Sequence, residues 1–464
     1  MIKVLNQYFP GRLFVLMVTE NVLILLGIWA AISYHSRTVS FSIAEYPNLF
    51  GKAFLITAIC QFCLYYADIY DLRNIGSKIE ICLRVMQALG AAALILATLF
   101  YFFPEMRLGP GIVEMALLTI VVGILMWRVF VEWLNRAYGA GERILLVGSG
   151  ASLNALVREL RGRPDLPLNL LGVVDEDSSA ASTSLNGLNS LGTLDELQRI
   201  LEESKPDRLI VALKERRRQL PIDLLLRWRM TGLVIEEAST LYQKITGKVP
   251  VESIHPSALI FTDGFRQTTL QKIYGRSLGL LIGLFSLVFV LPIMAVVAIA
   301  IKLDSKGPVL YKQTRVGLNG KLFEVRKFRS MFVDAESKSG PVWAQDVDPR
   351  VTRVGRILRK LRLDELPQFI NVLNGDMSFV GPRPERPFFV DLLKEKVPFY
   401  DLRHAVRPGI TGWAQVSCHY GASVEDAQQK LEYDLFYIKN FSLSFDCLIL
   451  FQTAKIVLFG RGAR

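Results

Sequence analysis

The chain has 464 residues, 51% of them hydrophobic, and a formal net charge of +11. Its length allows two to four domains, and so apolar a composition excludes an ordinary soluble protein. The basic excess favours nucleic acid, anionic lipid or phosphate-bearing ligands; long apolar runs decide for a lipid bilayer, and nucleic acid is not expected as a partner.

Four apolar runs of spanning length open the chain, at about residues 13–34, 49–66, 82–103 and 112–131. The first lacks a persuasive cleavage site and is read as a span rather than a removed signal. Lys3, Arg12, Arg73, Lys78, Arg84, Arg128, Arg136 and Arg143 border one side of these runs, against Arg37, Lys52 and Arg107 on the other. The excess of cations places the N-terminus and the segment after the fourth span in the cytoplasm. Cys60 and Cys63 form a C-x-x-C inside the second run, where cysteine is read as a small hydrophobe. The four histidines are scattered without metal-ligand spacing.

From about residue 141 to 250 strands alternate with helices. Strands are expected at 143–147, 168–174, 208–212 and 233–237, with helices from 151 to about 162, at 194–203 and at 222–231. That alternation predicts a parallel sheet in a Rossmann-like domain. Gly148 and Gly150 give part of a dinucleotide fingerprint, but Leu153 stands where its third glycine would fall. Two readings stay open: a structural strand-to-helix turn, and a nucleotide site with Asp175 on the ribose. Residues 178–190 read as a flexible loop and 251–271 as a linker.

A fifth apolar run covers residues 278–301, with Lys272 and Arg276 before it and Lys302 and Lys306 after. A full crossing would put the soluble domains on opposite sides of the membrane. Pro292 removes a helical hydrogen bond, so the run is expected to enter the bilayer, break near Pro292 and return, over about residues 276–302. The last run, 443–459, is open between an interfacial helix and one packed on the final domain.

Chemistry concentrates between these two runs. Arg353, Arg356 and Lys360 share one helical face, with Arg359 and Arg362 to one side. Val351, Val354, Ile357, Leu358 and Leu361 are expected to form its apolar face. Asp364 and Glu365 follow at once. An ionised carboxylate can attack phosphorus, but it repels an anionic donor. Two unit charges ~4 Å apart repel by roughly 4 kcal/mol at an effective dielectric near 20. Cations must offset that term. Glu365 can hold Mg²⁺, which prefers carboxylate and phosphate oxygens, and guanidinium groups can hold phosphate.

Several motifs in a fixed order carry a resemblance. They are Lys327-Phe328-Arg329-Ser330-Met331, Asp348-Pro349-Arg350, Leu363-Asp364-Glu365-Leu366-Pro367-Gln368 and the run from Asn371 to Ser378. Gly381-Pro382-Arg383-Pro384, the run from Arg407 to Val416, and Tyr433-Asp434 complete the set. The region from about Phe265 onward resembles the bacterial sugar transferase domain of polyprenyl-phosphate phosphoglycosyl transferases. The whole chain resembles the large monotopic members that initiate exopolysaccharide synthesis. The resemblance implies a membrane protein of α plus α/β class. It would comprise a four-helix transmembrane bundle (1–140), a Rossmann-like domain (141–250), the linker, and an α-rich catalytic domain (272–464) with the re-entrant helix.

The resemblance also implies the chemistry. Asp364 would attack the sugar-linked phosphate of a UDP-sugar, UMP would leave, and polyprenyl phosphate would take the phosphosugar. Glu365 would ligate Mg²⁺, and Lys327, Arg359 and Arg383 match positions that contact phosphate. Arg329 and Asp434 also fall in family motifs and are expected at the substrate site. Many small members have Asn-Gly-Arg after Ala-Gln-Val; here Ser417-Cys418-His419 stand instead, leaving His419 as the nearest substitute contact. The protein would sit in the bacterial inner membrane with its soluble domains in the cytoplasm; homo-oligomerisation stays open. Two other readings compete: a non-catalytic assembly scaffold, and a conventional glycosyltransferase that releases UDP.

Overall fold

The computed structural model describes residues 2–4, 7–9, 11–38, 48–70, 78–109, 111–138, 141–163, 166, 168–175, 188–212, 221–253, 264–265, 268–333, 335, 348–418, 421 and 423–459. A short antiparallel pair, β1 (Ile2–Val4) and β2 (Gln7–Phe9), precedes the helices. The apolar runs then fold as α1 (Gly11–Thr38), α2 (Leu49–Tyr66), α3 (Lys78–Phe102) and α4 (Ile112–Tyr138). Each is long and apolar enough to cross a membrane. They share a core that includes Ile24, Ile28, Leu64, Leu96, Ile120 and Ile124. Gly27 lets α1 approach α4 closely: a Cβ there would lie 2.9 Å from Ile120 Cγ1. Cys60 and Cys63 are free and buried in that core. Trp29, Phe54, Leu94, Leu118 and Met126 face outward, as a lipid surround allows.

The alternating region folds as a five-stranded sheet. β3 (Glu142–Gly148), β4 (Leu168–Asp175), β5 (Ser190–Thr193), β6 (Arg208–Ala212) and β7 (Val234–Glu237) pair in parallel in the order β5-β4-β3-β6-β7. Helices α5 (Ala151–Arg161), α6 (Leu197–Ser204), α7 (Ile222–Met230) and α8 (Ala238–Thr246) connect the strands. Apolar clusters cover both sheet faces: Ile144, Leu146 and Ile210 on one, Leu145, Val147 and Leu209 on the other. Strand β5 was not expected. Its four residues, Ser190–Thr193, carry two polar side chains and a glycine and give no alternation.

Gly148 and Gly150 have φ of 102° and 113°, a region open to glycine. Leu153, in place of the third fingerprint glycine, is fully buried in the domain's core. Asp175 is buried too and accepts a 2.6 Å hydrogen bond from Ser190 Oγ, which ties β4 to β5.

The final region begins with α9 (Thr269–Asp304), a helix of 36 residues. It is helical through Pro292, where the sequence suggested an interruption. One proline removes one hydrogen bond and bends a helix without necessarily ending it. Beyond it β8 (Leu310–Val316) and β9 (Leu322–Phe328) form an antiparallel hairpin. Then come α10 (Arg353–Lys360), α11 (Gln368–Asn374), β10 (Ser378–Val380), α12 (Pro387–Lys396) and β11 (Gly409–Thr411), which pairs in parallel with β10. Helices α13 (Trp413–Ser417), α14 (Val424–Lys439) and α15 (Leu443–Phe459) complete the fold.

This region is joined to both others. Trp413 Nε1 donates to the Gly247 carbonyl at 2.9 Å, and Val249 N donates to the Glu432 carbonyl at 3.0 Å. Helix α15 packs on the core of this final region through Phe445 and Ile449. Its far side meets the end of α2, where Tyr66 Oη donates to the Phe451 carbonyl and Lys455 pairs with Asp68.

Candidate active site

Helix α10 leads into the site. Thr352 caps it, accepting from Gly355 N at 2.9 Å. Its apolar face is narrower than the sequence suggested. Leu358 is buried and Val354 half-buried, both packed at the C-terminal half of α9 with Val297 and Ile301, whereas Ile357 and Leu361 are exposed. Residues 354 and 358 stack one turn apart; 357 and 361 lie one position round the helix, past the contact. Val351 precedes the helix and bridges Met331 instead. Arg353, Arg356 and Lys360 share the exposed side, as expected.

Arg362 adopts a left-handed φ of 55°, which closes α10 and turns the chain. Leu363–Glu365 then form one turn of 3-10 helix. Pro367 precedes α11, which ends at Gly375 with φ of 91°. Asn371 on α11 fixes the neighbouring strand: its Oδ1 accepts from Arg326 N at 3.0 Å, and its Nδ2 donates to the Glu324 carbonyl at 2.7 Å. Lys327, the next residue on β9, therefore faces the dyad. Lys327 Nζ lies 3.0 Å from Glu365 Oε1, and Arg383 Nη2 reaches the same oxygen at 2.6 Å.

The electrostatics follow from that geometry. Glu365 is 12% exposed. Burial works against its charge, but Arg383 and Lys327 outweigh burial and hold its carboxyl well below the usual range. For Asp364 burial dominates and the adjacent Glu365 adds to it, so its carboxyl lies above the ordinary aspartate value despite Lys327, Arg383 and Arg359. One carboxylate is thus locked as an anion between two cations. Its neighbour sits beside them with a basicity above that of a free aspartate.

The other expected site residues are placed differently. Arg359 donates from Nε to Ser330 Oγ at 3.0 Å and acts on Asp364 through its charge. Arg329 is buried, and its guanidinium donates to the Ser305 and Lys306 carbonyls at 2.8 and 2.5 Å. It ties down the backbone just past α9. Asp434 is buried and accepts from Arg403 Nη2 at 2.8 Å. His419 lies outside the described residues. The structure thus gathers Asp364, Glu365, Lys327, Arg359 and Arg383, and sets Arg329 and Asp434 into supporting contacts. No pattern in the sequence marks Arg403, which sits in a short 3-10 helix, Tyr400–Ala405. Asn371 opens the run from Asn371 to Ser378, where nothing in the sequence marks its contacts with β9.

A model of the bacterial sugar transferase family matches residues 270–460, and one of a CoA-binding domain matches residues 66–220. The chain is 43% identical over 240 residues to the UDP-N-acetylgalactosamine-undecaprenyl-phosphate N-acetylgalactosaminephosphotransferase of Aeromonas hydrophila, covering 52% of this chain and 56% of the relative. It is 34% identical to the undecaprenyl-phosphate glucose phosphotransferase of Komagataeibacter xylinus, over 69% of this chain and 60% of that one. It is 33% identical to the UDP-glucose:undecaprenyl-phosphate glucose-1-phosphate transferase of Escherichia coli (strain K12), over 70% of both chains. The chain therefore spans less than two thirds of the first two relatives, at 56% and 60% of their lengths.

Proposed function

The chain belongs to the bacterial sugar transferase family, and from that premise we propose that it transfers a sugar-1-phosphate from a UDP-sugar to undecaprenyl phosphate, the first membrane step of exopolysaccharide synthesis. The observation that carries this reading is the convergence of Lys327 and Arg383 on Glu365, one residue from Asp364. An Asp364 carboxylate oxygen attacks the sugar-bearing phosphorus. The new O–P bond replaces the one to UMP, and UMP leaves with the electron pair. A phosphate oxygen of the lipid then attacks the same phosphorus and releases Asp364, giving a polyprenyl-diphosphate-sugar. Lys327, Arg359 and Arg383 offset the charge that builds between carboxylate and diphosphate.

Mg²⁺ fits this donor set as a shared ion. It takes one or two carboxylates together with substrate phosphates, and among the described residues no group of three or more metal-ligating side chains is found. Glu365 Oε1 already takes two cations, so its other oxygen would be the one to hold the ion. When bound, the ion would neutralise part of the diphosphate charge.

The test is direct. Membranes carrying the protein are given a panel of UDP-sugars with undecaprenyl phosphate. UMP release is the expected result. UDP release would mean sugar transfer without phosphate, and absence of both would favour a scaffold.

In this reading α1–α4 form a transmembrane bundle, both soluble regions lie in the cytoplasm, and α9 re-enters rather than crosses. Both ends of α9 are tied to the same domain. Near its start Arg276 donates to the Val372 and Leu373 carbonyls at 2.6 and 2.7 Å; at its end Asp304 Oδ2 accepts from Val354 N at 3.2 Å. Leu281, Leu284, Phe285, Val288 and Phe289 between them are exposed. A straight helix of 36 residues would extend about 54 Å, and Pro292 gives it a place to bend. Cysteines introduced for Ser277 and Lys306 are expected to react with an impermeant thiol reagent from the same, cytoplasmic side. Labelling from opposite sides would sink the re-entrant arrangement.

A further inference from the structure

Arg403 is 6% exposed and Asp434 is 1% exposed. Arg403 donates from Nε and Nη2 to Asp434 Oδ2 at 3.1 and 2.8 Å. Its Nη1 donates to Tyr400 Oη at 2.6 Å, and its Nη2 also donates to the Arg383 carbonyl at 3.0 Å. A buried ion pair is weak evidence of a contribution to stability, since apolar residues of the same volume often do as well or better. Its geometry is more specific. Arg383 sits on a loop whose successive carbonyls are each held: Pro382 by Gly409 N at 2.9 Å, Pro384 by Arg315 Nη1 at 3.1 Å, and Glu385 by Val316 N at 3.0 Å. Gly381 N donates to the Thr411 carbonyl at 2.9 Å. The carbonyl of Arg383 itself is held by Arg403.

We propose that Arg403 is a positioning residue for the transfer reaction: it fixes the backbone from which Arg383 reaches Glu365, and Asp434 acts only through it, as its counter-charge. This assigns Asp434 a task consistent with its burial, behind the site rather than against the substrate. Lysine cannot replace Arg403, because one ammonium cannot reproduce the planar fork that reaches Asp434, Tyr400 and the Arg383 carbonyl together. A small displacement of Arg383 matters, since misplacement by about 1 Å can cost on the order of 10²-fold in rate.

The inference rests on the phosphoglycosyl transferase reading, so its test has one readout that needs no chemistry. The paired substitution Arg403→Met with Asp434→Leu removes both charges in the full-length protein. We expect a melting temperature within a few degrees of the parent, kcat/KM per folded enzyme lower by about 10²-fold, a raised donor KM, and faster amide exchange at Gly381 and Gly409. A purely structural pair would leave KM and the exchange of these two amides at parental values once folding is matched, and that result overturns the proposal. If the paired variant fails to fold, Arg403→Lys, which keeps the charge opposite Asp434, is expected to show the same kinetic and exchange defects; parental behaviour there overturns it equally. If the parent releases no UMP from any donor, the reaction itself is wrong, and amide exchange alone decides whether Arg403 holds the loop.

Discussion

Asp364→Asn is expected to lower UMP release by at least about 10⁴-fold, the scale on which nucleophile loss is felt in hydrolases, while binding of the UDP-sugar survives or tightens. Asparagine keeps the shape of the side chain but offers no anionic oxygen to phosphorus. It also removes a negative charge from beside the diphosphate, and with it a repulsion of roughly 4 kcal/mol at ~4 Å and an effective dielectric near 20. Loss of turnover with retained affinity separates a missing nucleophile from a collapsed site. Mass spectrometry of the parent, given donor without lipid acceptor, should find the phosphosugar on the peptide that contains Asp364, and the variant should carry none. Near-parental UMP release from the variant would remove Asp364 from the reaction. Glu365 gives the contrasting case. It already accepts from Lys327 and Arg383, so Glu365→Gln would remove the negative charge opposite two cations beside Asp364 and alter the field there without deleting the Asp364 carboxylate.

Much of this site was legible because its chemistry is local. Asp364 and Glu365 are neighbours in the chain, and the basic helix runs directly into them. The apolar spans were legible for the same reason: α2 has the bounds its hydropathy suggested, Leu49–Tyr66. What joins Lys327 and Arg383 to Glu365 is long-range, across 38 and 18 residues, and only the resemblance hinted at it. Arg329 shows where a local rule stops applying. Alternation along a strand would put Arg329 on the side of Lys327, but β9 ends at Phe328. Beyond that residue one backbone bond remains, from Arg329 N to the Val309 carbonyl at 2.9 Å, and the Arg329 guanidinium turns to the carbonyls past α9. Arg403 was invisible for a different reason. A buried arginine has no sequence signature until its partner is known, and Asp434 lies 31 residues away.

The helical region carries a second buried charge pair, and there the expected effect is on stability. Glu20 on α1 is 0% exposed. Its Oε1 accepts from Arg128 Nε on α4 at 2.7 Å, and its Oε2 accepts from Tyr70 Oη, which itself accepts from Gln61 Nε2 at 2.9 Å. Arg128 also lies over the Tyr70 ring, 5.5 Å from its centre. These contacts bind α1, α4 and the end of α2 beside Asp68, where Lys455 of the last helix docks. Substituting Arg128→Leu leaves Glu20 buried without its cation, which costs about 3–5 kcal/mol for a broken buried pair. The variant should therefore melt well below the parent in detergent. Adding Glu20→Leu removes the stranded charge, and the double variant should recover most of the loss. That recovery distinguishes an electrostatic cause from a packing defect, because leucine at position 128 is present in both. A single variant as stable as the parent, or a double variant no better than the single, would show that the pair does not hold these helices together.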